Sequence, residues 1–213
     1  MATAFAPVPH AEDRSVLREI SWDTYIKLCD ENQRRSTQMA YFEGELEIMT
    51  VGLRHESAKE LINTLFILMA EPLGVEYFAS GQHTFQHNRK RIGFEADLSY
   101  YVTNIDRFKG QDKVNLETDP PPDLVVEVDV SRNSERKLLM YGALGIREVW
   151  RYEGGIMRIY RISGREYKTA AKSSILPGVS AKLLTTLLAE AQNMSRLQWF
   201  SLVRQPVCPS RVD

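Results

Sequence analysis

A chain of 213 residues, 43% of them hydrophobic, is long enough for one sizeable domain with a full core and too apolar to stay disordered. Its formal net charge of −1 excludes a protein that is basic overall, although basic clusters remain at Arg34–Arg35, Arg89–Lys90–Arg91 and Arg132–Lys137. Two cysteines in unlike contexts, Cys29 and Cys208, suit a reducing cytoplasm and offer no zinc spacing, and the four histidines compose no zincin motif.

Residues 1–18 read as a flexible N-terminal arm. Pro7, Pro9, Glu12 and Asp13 interrupt its apolar run and no basic start precedes it, so a signal peptide is not expected from this pattern. Residues 19–203 read as a single domain, and 204–213 as a flexible tail. A short helix is expected over 21–32, with Trp22, Tyr25, Ile26 and Cys29 on one stripe. A β-hairpin follows, 39–42 and 45–49, turned at Glu43–Gly44. The spacing of Ala58, Leu61, Ile62, Leu65, Leu68 and Met69 predicts a helix over 56–70, ended by Pro72 and Gly74. No run reaches the ~20 apolar residues of a membrane span. Short strands are expected at 75–80 and 83–87, and a longer one at 94–102. The polar stretch 103–122, ending in three prolines, reads as a functional loop or lid. Beyond it come a strand (123–130), a helix (135–144) stopped by Gly145, and a strand hairpin turned at Gly154–Gly155. A further edge strand is expected at 166–171, and one C-terminal helix over about 181–200. Helices alternating with strands around a mixed sheet indicate one α/β domain.

Two of these strands carry acids where core strands carry none. In Pro121-Pro122-Asp123-Leu124-Val125-Val126-Glu127-Val128-Asp129-Val130, the Leu124, Val126, Val128 and Val130 face is apolar throughout. The other face sets Glu127 and Asp129 about 7 Å apart along the strand. Such neighbouring carboxylates call for water, a base or a cation, and a solvated edge strand answers the pattern as well as a metal site does. Upstream, alternation puts Glu95, Asp97 and Ser99 on one face. Two strands with inward carboxylates can bring Asp97 and Glu127 together, and carboxylate oxygens are the donors that magnesium or manganese takes. Lys137 follows in the early turns of the next helix, with Tyr141 and Leu144 on its face. There a lysine reaches a phosphate or an attacking water, unless it is an ordinary solvated lysine.

Asp97, the strand ending at Val128, Lys137-Leu138, Tyr141 and Gly145-Ile146-Arg147-Glu148-Val149-Trp150 occur as a block. That block resembles the bacterial "putative restriction endonuclease" family within the PD-(D/E)XK nuclease superfamily. Gly44-Glu45-Leu46, His55 and Pro177-Gly178 also match its layout, and the resemblance spans roughly residues 20–190. It implies a restriction-endonuclease-like α/β fold, a mixed central sheet flanked by helices with an N-terminal helix and hairpin. It also implies Mg2+ (or Mn2+) dependence and cleavage of DNA phosphodiester bonds. Carried over by position, Asp97 and Glu127 are the metal-binding acids, Glu45 an accessory metal acid, and Lys137 the active-site lysine. Arg89, Arg91 and Arg132 are candidates for phosphate contacts. A homodimer is expected, because symmetric dimers are the commonest oligomers and enzymes that cut both strands often use two copies.

The chain departs from the superfamily pattern at Ala96, where proline is usual before the aspartate, and at Asp129, where lysine is usual two residues after the second acid. The second departure moves the lysine role to Lys137. It also keeps open a different class of function, a nuclease fold without catalysis that serves binding or dimerisation.

Overall fold

The computed structural model describes residues 14–31, 37–81, 83–111, 113–129 and 135–205. Its strands are β1 (Arg14–Leu17), β2 (Thr37–Phe42), β3 (Glu45–Thr50), β4 (Phe78–Ala79), β5 (Thr84–His87), β6 (Ile92–Glu95), β7 (Leu98–Tyr101), β8 (Leu124–Asp129), β9 (Glu148–Glu153), β10 (Ile156–Ser163) and β11 (Glu166–Ala170). Its α-helices are α1 (Trp22–Glu31), α2 (Leu53–Ala70), α3 (Glu135–Leu144), α4 (Ala181–Glu190) and α5 (Arg196–Arg204). The mixed α/β class expected from the sequence is what the chain adopts, with the strands divided over two sheets. An antiparallel sheet runs β1-β3-β2-β6-β5, and a mixed sheet runs β11-β10-β9-β8-β7-β4. Only β8 and β9 pair in parallel there, as the α3 crossover between them requires.

The alternation read in β8 divides two cores. Leu124, Val126 and Val128 join the cluster under α2, α4 and α5, while Val125 joins the cluster beneath α3, with Phe94, Met140 and Tyr141. Strand β8 lies inside its sheet between β7 and β9, so the solvated-edge reading fails, and Glu127 is only 5% exposed.

The hairpin forms as expected. Glu43 (φ 50°) and Gly44 (φ 78°) take the two left-handed positions of a tight turn whose twist suits the flanking strands. Against it α1 packs Trp22 and Tyr25 onto Tyr41, with Tyr25 and Tyr41 stacked at 5.2 Å. Gly93 on β6 has to be glycine, because a Cβ there would fall 2.3 Å from the Tyr25 hydroxyl.

Four expectations need correction. Residues 14–17, expected within a flexible arm, form the edge strand β1, paired with β3 from Arg14↔Met49 to Leu17↔Leu46. The strand expected at 94–102 is broken at Ala96–Asp97, where the chain passes from β6 in one sheet to β7 in the other. The single C-terminal helix is two. Ser195 and Gln198 form a capping box that restarts the helix, and Trp199 Nε1 then donates to Leu187 O at 2.6 Å. The loop before β8 is not a free lid among its described residues: Phe108 and Leu116 are buried in the second core, and Arg107 Nε holds Asp119 at 2.9 Å. The remainder of the expected arm (1–13), the polar turn before α3 (131–134, with Arg132) and the end of the tail (206–213, with Cys208) lie outside the described residues. No helix among the described residues is long and apolar enough to cross a membrane.

Candidate active site

The crossing from β6 to β7 places Asp97 where three elements reach it. Oδ2 accepts the backbone N–H of Val128 on β8 at 2.7 Å. Oδ1 accepts from Gln38 Nε2 on β2 at 2.8 Å and lies 3.1 Å from Nε2 of His55, in the first turn of α2. Gln38, His55 and Asp97 are all buried. The antiparallel register of β7 and β8, Leu98↔Val126, carried one step further sets Asp97 across from Glu127. Burial alone would raise the Asp97 carboxyl. The bond and charge of His55, the Lys137 charge and the Val128 N–H outweigh it, so Asp97 is held below the usual carboxylate range.

Glu127 faces α3, and both of its oxygens have donors one helical turn apart. Lys137 Nζ lies 2.5 Å from Oε2, and the Tyr141 hydroxyl donates to Oε1. The i, i+4 spacing of lysine and tyrosine brings both onto the helix face that meets β8. Burial pushes the Glu127 carboxyl up, and the Lys137 charge opposes that push. Burial disfavours the ammonium of Lys137 too, but Glu127, Glu47 and Asp97 together hold its pKa above the ordinary lysine value. Lys137 is thus a fixed ammonium facing three carboxylates.

The hairpin supplies the third of these. Glu45 and Glu47 stand two apart on β3 and share a face. Glu47 Oε1 is 4.0 Å from Lys137 Nζ, and its Oε2 is 2.6 Å from Arg14 Nη2. Glu45 is held by Arg136 Nε at 3.0 Å and Arg18 Nε at 3.1 Å. Glu47 is therefore the hairpin acid beside the lysine, and Glu45 stands one pleat further along.

Other residues marked in the sequence serve different ends. Asp123 accepts from the backbone N–H groups of Val102 and Thr103, from the Thr103 hydroxyl, and from Arg147 Nη1 at 3.1 Å, which latches the loop to β8. Glu95 accepts from Thr84 Oγ1 at 2.7 Å. Arg89 is bound to Glu117 by both backbone and side chain, and Lys90 donates to Ala143 O at the end of α3 at 2.7 Å. Gln38, His55, Tyr141 and Glu47 stand at the site without a role assigned from sequence. The alternation that marks Glu45 marks Glu47 equally, whereas Gln38 has no local signal.

Among the described residues, no group of three or more His, Cys, Asp or Glu is placed to hold a metal ion. The donors are nonetheless of the right kind. Hard oxygen ligands suit Mg2+, which usually takes only one or two protein carboxylates and completes its shell with water and substrate phosphate.

Paired acids and a buried lysine at the seam of two sheets define an α/β protein with an anionic, lysine-bearing site. The chain matches the model of the Uma2 family, described as "Putative restriction endonuclease", over residues 22–192, and it belongs to that family. This membership agrees with the superfamily resemblance seen in the sequence. Among solved structures, a protein from Anabaena variabilis ATCC 29413, titled a putative nuclease belonging to DUF820, superposes with a TM-score of 0.53 at 16% identity, covering 79% of this chain and 99% of its own. At that identity it shows a shared fold alone. No curated protein sequence matches the chain.

Proposed function

We propose that the chain is a metal-dependent endonuclease that hydrolyses DNA phosphodiester bonds. The observation that supports this reading is the bond from the Val128 N–H, beside Glu127 on β8, to the Asp97 carboxylate, with the Lys137 ammonium on Glu127. Family membership supports the same class of activity.

In this reading Asp97 and Glu127 hold the divalent ion, with Glu47 or Glu45 as an accessory acid. A bound ion of this kind polarises a phosphate oxygen and lowers the pKa of a coordinated water towards neutrality. The protein's own part is orientation and charge. His55, Gln38 and the Val128 N–H fix the rotamer of Asp97 and keep it ionised. Tyr141 and Lys137 fix Glu127. The Lys137 ammonium offers charge to the phosphate as negative charge develops on its oxygens. Its three carboxylate neighbours favour its charged form, which suits an electrostatic and orienting role.

The test is conversion of supercoiled plasmid to open-circular and linear forms in magnesium, with chelator as control. The wild-type chain is expected to cut only with metal, and Asp97→Asn and Glu127→Gln to be inactive while melting cooperatively. Full activity in either variant overturns the assignment. Asp129, two residues after Glu127 where the superfamily carries lysine, favours a second reading, a nuclease fold that binds without cutting. Intact plasmid together with no rise in melting temperature at millimolar magnesium or manganese decides for that reading. A homodimer is expected on the first reading, checked by sedimentation.

A further inference from the structure

Strand β11 is an outer strand of the mixed sheet, and among the described residues its backbone bonds run only to β10. Glu166, Lys168 and Thr169 are exposed along it. The strand is nonetheless fixed in place. The Tyr167 hydroxyl donates to Ile146 O at 2.6 Å, and α3 packs so closely on the preceding turn that a Cβ on Gly142 would fall 2.5 Å from Arg165 O. A fixed, unpaired edge is a template for another strand.

The charges on this edge complement a copy of themselves. Glu166 and Lys168 lie two apart on one face of the sheet, and Lys168 stands directly across from Arg161 on β10. Like charges so placed cost stability, and none of the three has an ion-pair partner among the described residues. Facing residues of an antiparallel pair share a side of the sheet, so a two-fold axis relating two β11 strands passes through a residue and not between two. An axis at Glu166 or at Lys168 sets like charge against like. An axis at Tyr167 sets each Glu166 opposite the other copy's Lys168, and brings a carboxylate beside each Arg161–Lys168 pair. A lysine alone on an edge strand repels a second edge. Here the acid two residues earlier supplies the opposite charge at the matching position. Strand β1, at the edge of the other sheet, carries no acid to answer Arg14.

We propose that two copies of the chain pair antiparallel through β11, about a two-fold axis at Tyr167, joining their six-stranded sheets into one continuous sheet. This gives a surface to the homodimer expected on the nuclease reading, and it requires no catalysis. A five-residue edge is a small interface, so the dimer is weak, with a dissociation constant on the order of micromolar or above.

The test is sedimentation equilibrium of the full chain, without DNA, from low micromolar to high micromolar concentration. The mass of the wild type is expected to rise from one chain towards two. Glu166→Lys and Lys168→Glu each set like charges across the axis, and each is expected to remain monomeric while melting cooperatively. Mixed in equal amounts, the two variants present an acidic edge to a basic one and are expected to associate. Should a single variant not fold, the double exchange Glu166→Lys with Lys168→Glu, which restores both pairs in reverse, decides alone: a dimer supports the β11 edge and a monomer overturns it. A wild type that stays monomeric throughout, a dimer that either single variant leaves intact, or two monomeric variants whose mixture does not associate also overturns it. Plasmid cleavage tests the nuclease reading separately, so the failure of one is told apart from the failure of the other.

Discussion

The Tyr141 hydroxyl donates to Oε1 of Glu127, the oxygen that the neighbouring lysine does not take. Because Tyr141 sits one turn after Lys137 on α3, a single rigid helix holds both ends of the carboxylate. The two grips differ in kind. Tyr141→Phe removes a hydrogen bond to a buried acceptor and should lower unfolding free energy by about 1–3 kcal/mol. Lys137→Met leaves Glu127 buried without its cation and should lower it by about 3–5 kcal/mol. Urea unfolding of the two variants measures the order. On plasmid, Tyr141→Phe should slow cleavage and Lys137→Met should abolish it.

On the proposed function, His55 serves to position Asp97. With its Nε2 3.1 Å from Oδ1 it shares one oxygen with Gln38. Removing it leaves the carboxylate held by Gln38 and Val128 but free to turn. His55→Ala should therefore reduce the rate of cleavage at saturating DNA more than it raises the DNA concentration needed for half-maximal rate. His55→Gln, which keeps a donor, should restore part of that rate. Steady-state kinetics on a defined oligonucleotide separates the two effects, and an unchanged rate in His55→Ala would remove the positioning role.

The loop before β8 should respond to acid. The backbone N–H and then the guanidinium of Arg89 hold the Glu117 carboxyl at about 2, below its ordinary 4.5. A carboxyl depressed by folding contributes stability at pH above its unfolded value and loses it as pH falls towards the folded one. Thermal midpoints measured downward from about pH 5 should fall, and Glu117→Gln should flatten that limb while leaving the neutral-pH value lower than wild type.

Much of the site was legible because β-strand alternation and helical spacing are local. Two-residue periodicity gave the faces of β8 and so the inward turn of Glu127, and four-residue spacing joined Lys137 to Tyr141. Alternation points to Asp97 for a reason that the fold revises. It makes one strand through Glu95 and Ser99, but the chain changes sheets at Ala96–Asp97, and periodicity carries no mark of such a crossing. Gln38 and His55 reach Asp97 from 59 and 42 residues upstream, through packing that no local pattern encodes. Strand β1 leaves no mark in the sequence because four residues of mixed polarity become a strand only by pairing with β3. The break between α4 and α5 did carry a signal, Ser195 followed three residues on by Gln198.

The proposed function requires Asp97 and Glu127 to act as one divalent site. The direct measurement is a crystal of the protein soaked in manganese, with the anomalous map calculated at the manganese edge. A peak is expected within about 2.5 Å of an oxygen from each of the two carboxylates, and is expected to be lost in Glu127→Gln. A peak away from both residues, or none beside either at saturating manganese, contradicts it.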